Sequence, residues 1–419
     1  MSFWSRSGHA GAGARDRSAA IGALLVLTAT SGSAMAAEYY FQPQLDVSSE
    51  VDSNRDLVSS GPTQTAVGYG ARAGAAMGIA TPTSDTTVLP RFNYENYPRL
   101  SEHTTEEIMD FSSFWHSQRS QFSAWGQVDH SSLYSSELAS AAFNPLNPNL
   151  PTTPETGRIS VNGTRTLLTL QPKYQYNLTP RLNLGVSGLY QSLDYGGAQN
   201  SYVSYHYYEG AVSAGWSLSP RATLTLGVNA SKEKAKNFYS VTDGRGVTLT
   251  FDYQWSRTFT GSLTVLAEHD KIYGGTPAQP TLELGGIASN GVGATYTTTW
   301  KGQISQLQLA VGSTFTPSGV GSKYRSDQAQ GEYKYNLSAR LLFITAAHYI
   351  RNVALASQFD SGNYNYIVAD AGLRWSLTPT WYIGGNVEYL EIQSPVANTS
   401  AKNNMARISF GYQALPRQY

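Results

Sequence analysis

The sequence predicts an all-β protein: a closed up-and-down antiparallel transmembrane β-barrel of about eighteen strands, with sixteen as the alternative count. Three observations carry that reading. From Leu167 onward the chain repeats a unit near 40 residues long, in which two period-two strands flank a short turn and a longer polar loop follows. Charged residues make up only 14% of the chain while mean hydropathy is −0.31, so Ser, Thr, Gln, Asn, Gly and 28 Tyr supply the polarity. The tryptophans gather near the short turns instead of scattering through a core.

The elements follow in order. Arg6, Arg15 and Arg17 form a cationic start, Ile21 to Leu27 an apolar run, and Ala34-Met35-Ala36 a small-residue cleavage site. Residues 1–36 are therefore expected to be a secretory signal peptide, with the barrel over 37–419. The apolar run is far short of the ~20 residues of a spanning helix, which weighs against a membrane anchor. Losing that segment removes three Arg and one Asp from totals of 29 and 29, leaving 26 basic and 28 acidic residues. So slight a balance gives no basic field for nucleic acid, and no nucleic-acid partner is expected. The absence of Cys excludes disulfides, thiolate metal sites and a Cys nucleophile.

Strands are expected near 39–52, 66–80, 86–97, 105–116, 121–136, 166–178, 181–194, 205–218, 222–235 and 246–256. The second half continues with 258–271, 291–301, 303–316, 327–338, 340–351, 364–377, 380–393 and 403–413. Short turns recur as Leu178-Thr179-Pro180-Arg181, Leu218-Ser219-Pro220-Arg221, Leu337-Ser338-Ala339-Arg340 and Leu377-Thr378-Pro379-Thr380. A repeat near 40 residues also suits propellers and helical solenoids. Here, however, each repeat holds two strands of ten or more alternating residues, the length that crosses a bilayer at a tilt. Short turns at one end and long loops at the other give the outer-membrane arrangement. All seven tryptophans after residue 36 lie within about five residues of a short turn. Trp115, Trp216, Trp255, Trp300, Trp375 and Trp381 are expected to form a girdle at headgroup level.

The same alternation assigns the inward face. Its expected acids are Asp46, Glu50, Glu95, Glu106, Asp110, Asp129, Glu209, Asp252, Glu268, Asp270, Glu332, Asp370 and Glu388. Its bases are Arg72, Arg91, Lys173, Lys334, Arg374 and Arg407, of which the last four are expected low, near the periplasmic turns. A cylinder of sixteen to eighteen strands is too wide for side chains to fill, so these charges imply a wet, charge-lined lumen. Acids exceed bases 13 to 6 on this register, which predicts weak cation selectivity. Arg119, Arg181, Arg221, Arg257, Lys301 and Arg340 lie in or beside the turns, placed for lipid headgroups or for a basic periplasmic mouth. Residues 138–165 form a long loop with Pro145, Pro148, Pro151 and Pro154 at a three-residue spacing, read either as a solvent loop or as a stiff inward constriction. Residues 273–290 are expected to be a second loop.

No nucleotide loop, metal cluster or nucleophile elbow is present, so no cofactor, metal or enzymatic activity is expected. In Glu268-His269-Asp270 the histidine faces away from both carboxylates on a strand. An outer-membrane hydrolase would need a Ser or Asp converging on His206 or His348.

The whole chain after residue 36 resembles Gram-negative outer-membrane barrels of the porin kind. More loosely, it is similar to barrel porins associated with exopolysaccharide and exosortase loci. The Leu-Thr/Ser-Pro-Arg turns and the early Phe41-Gln42-Pro43-Gln44-Leu45-Asp46-Val47-Ser48 strand carry that resemblance. Ala406, Ile408, Phe410 and Tyr412 resemble the aromatic C-terminal signal of such barrels, although residues 414–418 intervene before Tyr419. The resemblance implies an outer-membrane location in contact with lipid and a channel for a polar solute or an exported polysaccharide. The basic turns are placed to dock an acidic periplasmic export partner. The alternative is a barrel plugged by its loops that binds or builds at the surface.

Overall fold

Period-two alternation resolves into eighteen strands in a computed structural model that describes residues 37–138, 163–197, 202–236, 240–276, 279–319, 323–355, 363–394 and 398–415. In chain order they are β1 (Glu38–Asp52), β2 (Ala66–Thr81), β3 (Ser84–Tyr97), β4 (Glu102–His116), β5 (Ser120–Ser132), β6 (Thr164–Thr179), β7 (Leu182–Gly196), β8 (Tyr205–Ser219) and β9 (Ala222–Ala235). The remainder are β10 (Val241–Gln254), β11 (Phe259–Thr276), β12 (Gln279–Lys301), β13 (Ser305–Thr316), β14 (Tyr324–Asn336), β15 (Leu341–Ala354), β16 (Tyr364–Ser376), β17 (Trp381–Ser394) and β18 (Thr399–Gln413). Each strand pairs antiparallel with its sequence neighbours, and β1 pairs with β18 from Gln44 opposite Gln413 to Asp52 opposite Met405. The sheet thus closes on itself and leaves no open edge, the condition for a sheet to cross lipid.

The short turns explain their repeated sequence. In three of the four a hydroxyl accepts the backbone N–H that restarts the chain, Thr179 from Leu182 at 3.0 Å, Ser338 from Leu341 at 3.1 Å and Thr378 from Trp381 at 3.0 Å, while Ser219 accepts from Arg221 at 3.2 Å. A side-chain oxygen mimicking a backbone acceptor makes Ser and Thr turn-formers, and Pro beside them fixes φ. Residues 1–36, expected to be a signal peptide, the prolines of the long loop and Tyr419 lie outside the described residues.

Several strands run a few residues past the expected ends, β10 for example starting at Val241 instead of the expected 246, and two differences change the reading. The fifth strand, expected to reach residue 136, stops at Ser132, whose hydroxyl caps the single-turn helix α1 (Leu133–Ser136) by accepting from Ser135 N–H at 3.1 Å. The expected loop at 273–290 is instead the top of the β11–β12 hairpin, closed by Thr276 opposite Gln279. Register shifts at Gly274 break the alternation there, and a Gly- and Pro-rich composition hides what remains.

The two faces of the wall are chemically distinct. Leu45, Val47, Leu184, Val186, Leu249, Val387 and Ile408 are among many exposed apolar residues on one face, with Ile408 69% exposed. Their neighbours in sequence, on the opposite face, are polar or small. Large aliphatic residues left in the open on a closed barrel are the mark of a lipid-facing surface.

Candidate functional site: the barrel interior

Cross-strand register sets Asp46, Glu50, Arg72, Arg91, Glu95, Asp110, Asp129, Lys173, Glu209, Asp252, Glu268, Asp270, Glu332, Lys334, Asp370, Arg374, Glu388 and Arg407 on the face opposite the apolar one. At mid-height they form two arcs. On β18 and β1–β4, cations interleave with acids. Arg407 bonds Glu50 at 2.6 Å and reaches Glu95 at 3.4 Å, Arg72 lies 3.6 Å from Glu95, and Arg91 pairs with Asp110. Asp110 also accepts from Gln127 at 2.8 Å, and Asn93 donates to Glu106 at 2.7 Å. Arg407 therefore sits at mid-height opposite Glu50 and not near the periplasmic end, because the β1–β18 register carries it up the wall.

The second arc is acidic. Glu332, Ala346, Asp370, Glu388, Met405 and Asp52 stand opposite one another across successive strands from β14 round to β1. Lys334, 2.6 Å from Glu332, and Arg374 lie below this row, two residues from the ends of their strands. Arg374 donates to Gln413 at 2.8 Å and stacks 3.7 Å over the Tyr382 ring, whose hydroxyl donates to Asp46 at 3.0 Å. Lys173 and Asp252 are exposed on the inner face of the periplasmic half.

The extracellular half is filled differently. Tyr324, Ile350, Tyr364, Tyr366, Val368 and Leu390 pack into a buried cluster joined by Leu57 and Leu138, which belong to two of the loops. Loop residues thus turn inward over the mouth. Arg55, 4% exposed, lies between the Tyr97 ring at 3.5 Å and the Tyr134 ring of α1 at 4.3 Å, with Glu102 at 3.5 Å and Glu95 at 3.8 Å. Tyr97 crosses Gly68, where a Cβ would come within 2.7 Å of a ring carbon, so the glycine is what lets the ring lie flat. Asn54 ties the same loop to the wall by donating to the Lys402 carbonyl at 2.9 Å and accepting from the Val58 N–H at 3.1 Å. Val203 N–H donates to the Gly319 carbonyl at 2.8 Å, linking two further loops.

A second anchor is Lys323, fully buried at the head of β14. It donates to Glu268, to Asp270 at 3.0 Å and to Ser231 at 2.9 Å. Burial alone depresses an ammonium, but the two carboxylates outweigh it and hold Lys323 above its ordinary value. Room for the ammonium comes from Gly244, whose absent Cβ would stand 2.8 Å from Nζ and 2.6 Å from Asp270.

Sequence reasoning missed Arg55, Lys323 and Arg165. The first two are loop residues, invisible to alternation. Arg165, which pairs with Asp129 at 3.0 Å, has the parity of Lys173 but lies one residue before the expected strand start. Trp115, Trp216, Trp255, Trp300, Trp375 and Trp381 are exposed on the outer face near the short turns. Trp125 instead is 9% exposed on the inner face, opposite Ser112 and Gln171. His269 points outward to Asn290 at 2.6 Å, His206 lies 3.4 Å from the Tyr190 hydroxyl, and His348 is buried inside, opposite Gln330 and Val368. Among the described residues no cluster of His, Asp and Glu is arranged to hold a metal.

No family model and no curated protein sequence matches the chain. Among solved structures, the chain is similar to OccK2 (OpdF) of Pseudomonas aeruginosa in complex with glucuronate, at 9% identity and TM-score 0.44, over 90% of this chain and 99% of that one. It is similar to the outer membrane protein OpdK of Pseudomonas aeruginosa at 10% identity and TM-score 0.42, over 89% and 98%. The ferric citrate transporter FecA follows at 12% identity and TM-score 0.44, over 84% and 60%. These similarities are slight, and the account of this chain rests on its own strands. A closed barrel of eighteen antiparallel strands, apolar outside and polar inside, has the architecture of a Gram-negative outer-membrane protein.

Proposed function

We propose that the chain is an outer-membrane channel that passes hydrophilic solutes, narrowed by its loops in the extracellular half. The observation that carries this reading is the inner wall itself, polar and charged over the full circuit and exposed in the periplasmic half at Lys173 and Asp252. A barrel of this strand number encloses more space than side chains occupy, and charges placed there need water. The mid-height row Glu332, Asp370, Glu388 and Asp52 makes the passage favour cations, since field lines focus in a low-dielectric tube. This side of the reading is binding and conduction, not catalysis.

The finer form of the reading is a conduit for exported polysaccharide. It is supported by inward aromatics, Phe114, Trp125 and Tyr382, which offer apolar rings with polar neighbours to sugar faces. A periplasmic partner would dock at the basic turns. The competing reading, a plugged surface barrel, draws on the buried Tyr324–Leu390 cluster beneath the loops.

Swelling of liposomes in neutral sugars of increasing size tests the proposal. A channel admits monosaccharides and excludes oligomers above a cutoff. A plugged barrel admits none, and that result would remove the function proposed. A polysaccharide conduit admits linear oligomers well beyond the cutoff for compact sugars.

A further inference from the structure

The outer wall of β9, β10 and β11 changes character near its extracellular end. On β9 the outward series Leu224, Leu226, Val228 and Ala230 gives way to Lys232 and Lys234. On β10 Phe251, Leu249 and Val247 lead up to Arg245 and Asp243, and on β11 Val265 and Ala267 lead up to His269 and Lys271. Register brings the charged tops together: Arg245 stands opposite His269, and Asp243 opposite both Lys232 and Lys271. Lys232 is spent on Asp243 at 3.1 Å. Lys234, Arg245 and Lys271 are exposed and make no ion pair among the described residues. Elsewhere on this rim Arg325 is paired with Asp327 at 2.9 Å and Lys402 with Glu391 at 3.8 Å.

Directly under the charged tops the wall carries a groove of about 470 Å³. Arg245, His269 and Asn290 line its upper part, and Val247, Ala267 and Val292 its lower part. Val292 is 70% exposed, in the lipid-facing band. Cationic above and apolar below is the order of a lipid's own headgroup and chain. Three strands about 4.8 Å apart spread the cations over roughly 10 Å, room for more than one phosphate. The guanidinium of Arg245 presents paired donors that match phosphate oxygens.

We propose that this face binds a phosphate-bearing glycolipid of the extracellular leaflet, with Lys234, Arg245 and Lys271 on its phosphates and the groove beneath holding an acyl chain. The proposal rests on the outer-membrane reading, which sets this end of the barrel in the leaflet built of such lipids. Juxtaposed cations at headgroup level attract anionic lipid, and removing them should release it.

The test uses the full chain in phosphatidylcholine nanodiscs, with diphosphoryl lipid A as the probe and native mass spectrometry as the readout. Wild type should retain one lipid A with at least tenfold preference over its dephosphorylated form and over phosphatidylglycerol. The triple variant Lys234→Glu, Arg245→Glu, Lys271→Glu should lose that retention, while Arg325→Glu with Arg351→Glu on the same rim should keep it. Equal retention by the triple variant overturns the proposal. So does equal retention of the phosphate-free lipid or of phosphatidylglycerol, or a second copy of the chain on this face in place of lipid. Conductance on the same samples separates the two readings. The patch lies outside the lumen, so the triple variant should conduct as wild type does. A barrel that conducts without retaining lipid overturns only the lipid site. One that retains lipid without conducting overturns only the channel.

Discussion

Lys323 shows what a single buried charge does in this barrel. Removing one partner of a buried, hydrogen-bonded charge cluster costs about 3–5 kcal/mol, because the groups left behind stay desolvated and uncompensated. Lys323→Ala would leave Glu268 and Asp270 facing each other beneath the loop that Lys323 closes. The variant should unfold at lower urea than wild type, and protease should cut first beside the head of β14; a variant with unchanged midpoint and resistance would show the cluster to be ornamental. Gly244→Ala should loosen the same loop by crowding the ammonium. The pH dependence follows from the raised Lys323 value. Stabilisation is complete below the unfolded-chain value near ~10.4 and fades only as pH climbs through the higher folded value, so the loop should stay protease-resistant into the alkaline range. Alternation alone puts Asp370 and Glu388 on the inward face, where the register sets them opposite one another, whereas Lys323 and Arg55 come from loops that have no period to read. Trp125 shows the limit of a positional rule. It lies near a short turn as the girdle tryptophans do, but its parity with Gln127 and Asp129 turns it inward.

At the scale of strands, the sequence is most legible where lipid imposes it. A strand that faces hydrocarbon on one side and polar groups on the other must alternate, so β1, β9, β16 and β17 were readable to within a residue or two at each end. Above the membrane that demand lapses, which is why the top of β11–β12 and the turn into α1 were not. The same constraint makes a paired test on β10. Leu249 points outward at the middle of the apolar band, while Thr250 points inward and shares a 2.9 Å hydrogen bond with Thr264. Leu249→Arg should cost about 2–4 kcal/mol of barrel stability in bilayers, and Thr250→Arg no more than about 1 kcal/mol. Equal losses, measured by urea unfolding in liposomes, would mean that the register of β10 is wrong. In the mouth, Arg55 holds the first loop against α1 through two tyrosine rings. Arg55→Ala should free that loop and raise single-channel conductance; an unchanged or lower conductance would place the constriction elsewhere.

For the whole molecule, the decisive property is the sign of the field inside a water-filled tube. Cations on the β18–β4 arc are matched by Glu50, Glu95 and Asp110, and Glu332 by Lys334, which leaves Asp370 and Glu388 to set the balance of the acidic row. Asp370→Asn with Glu388→Gln should therefore bring the channel toward no preference between potassium and chloride, at nearly unchanged conductance. Selectivity should also fade in wild type as salt shortens the screening length from about 10 Å at 0.1 M to about 3 Å at 1 M. The most direct test is the current through the full chain in a planar bilayer across a tenfold KCl gradient. A charge-lined channel of this build gives discrete conductance steps with a reversal potential displaced toward that of potassium. A silent bilayer would contradict the open lumen, and a reversal potential toward that of chloride would contradict the acidic row as its selectivity element.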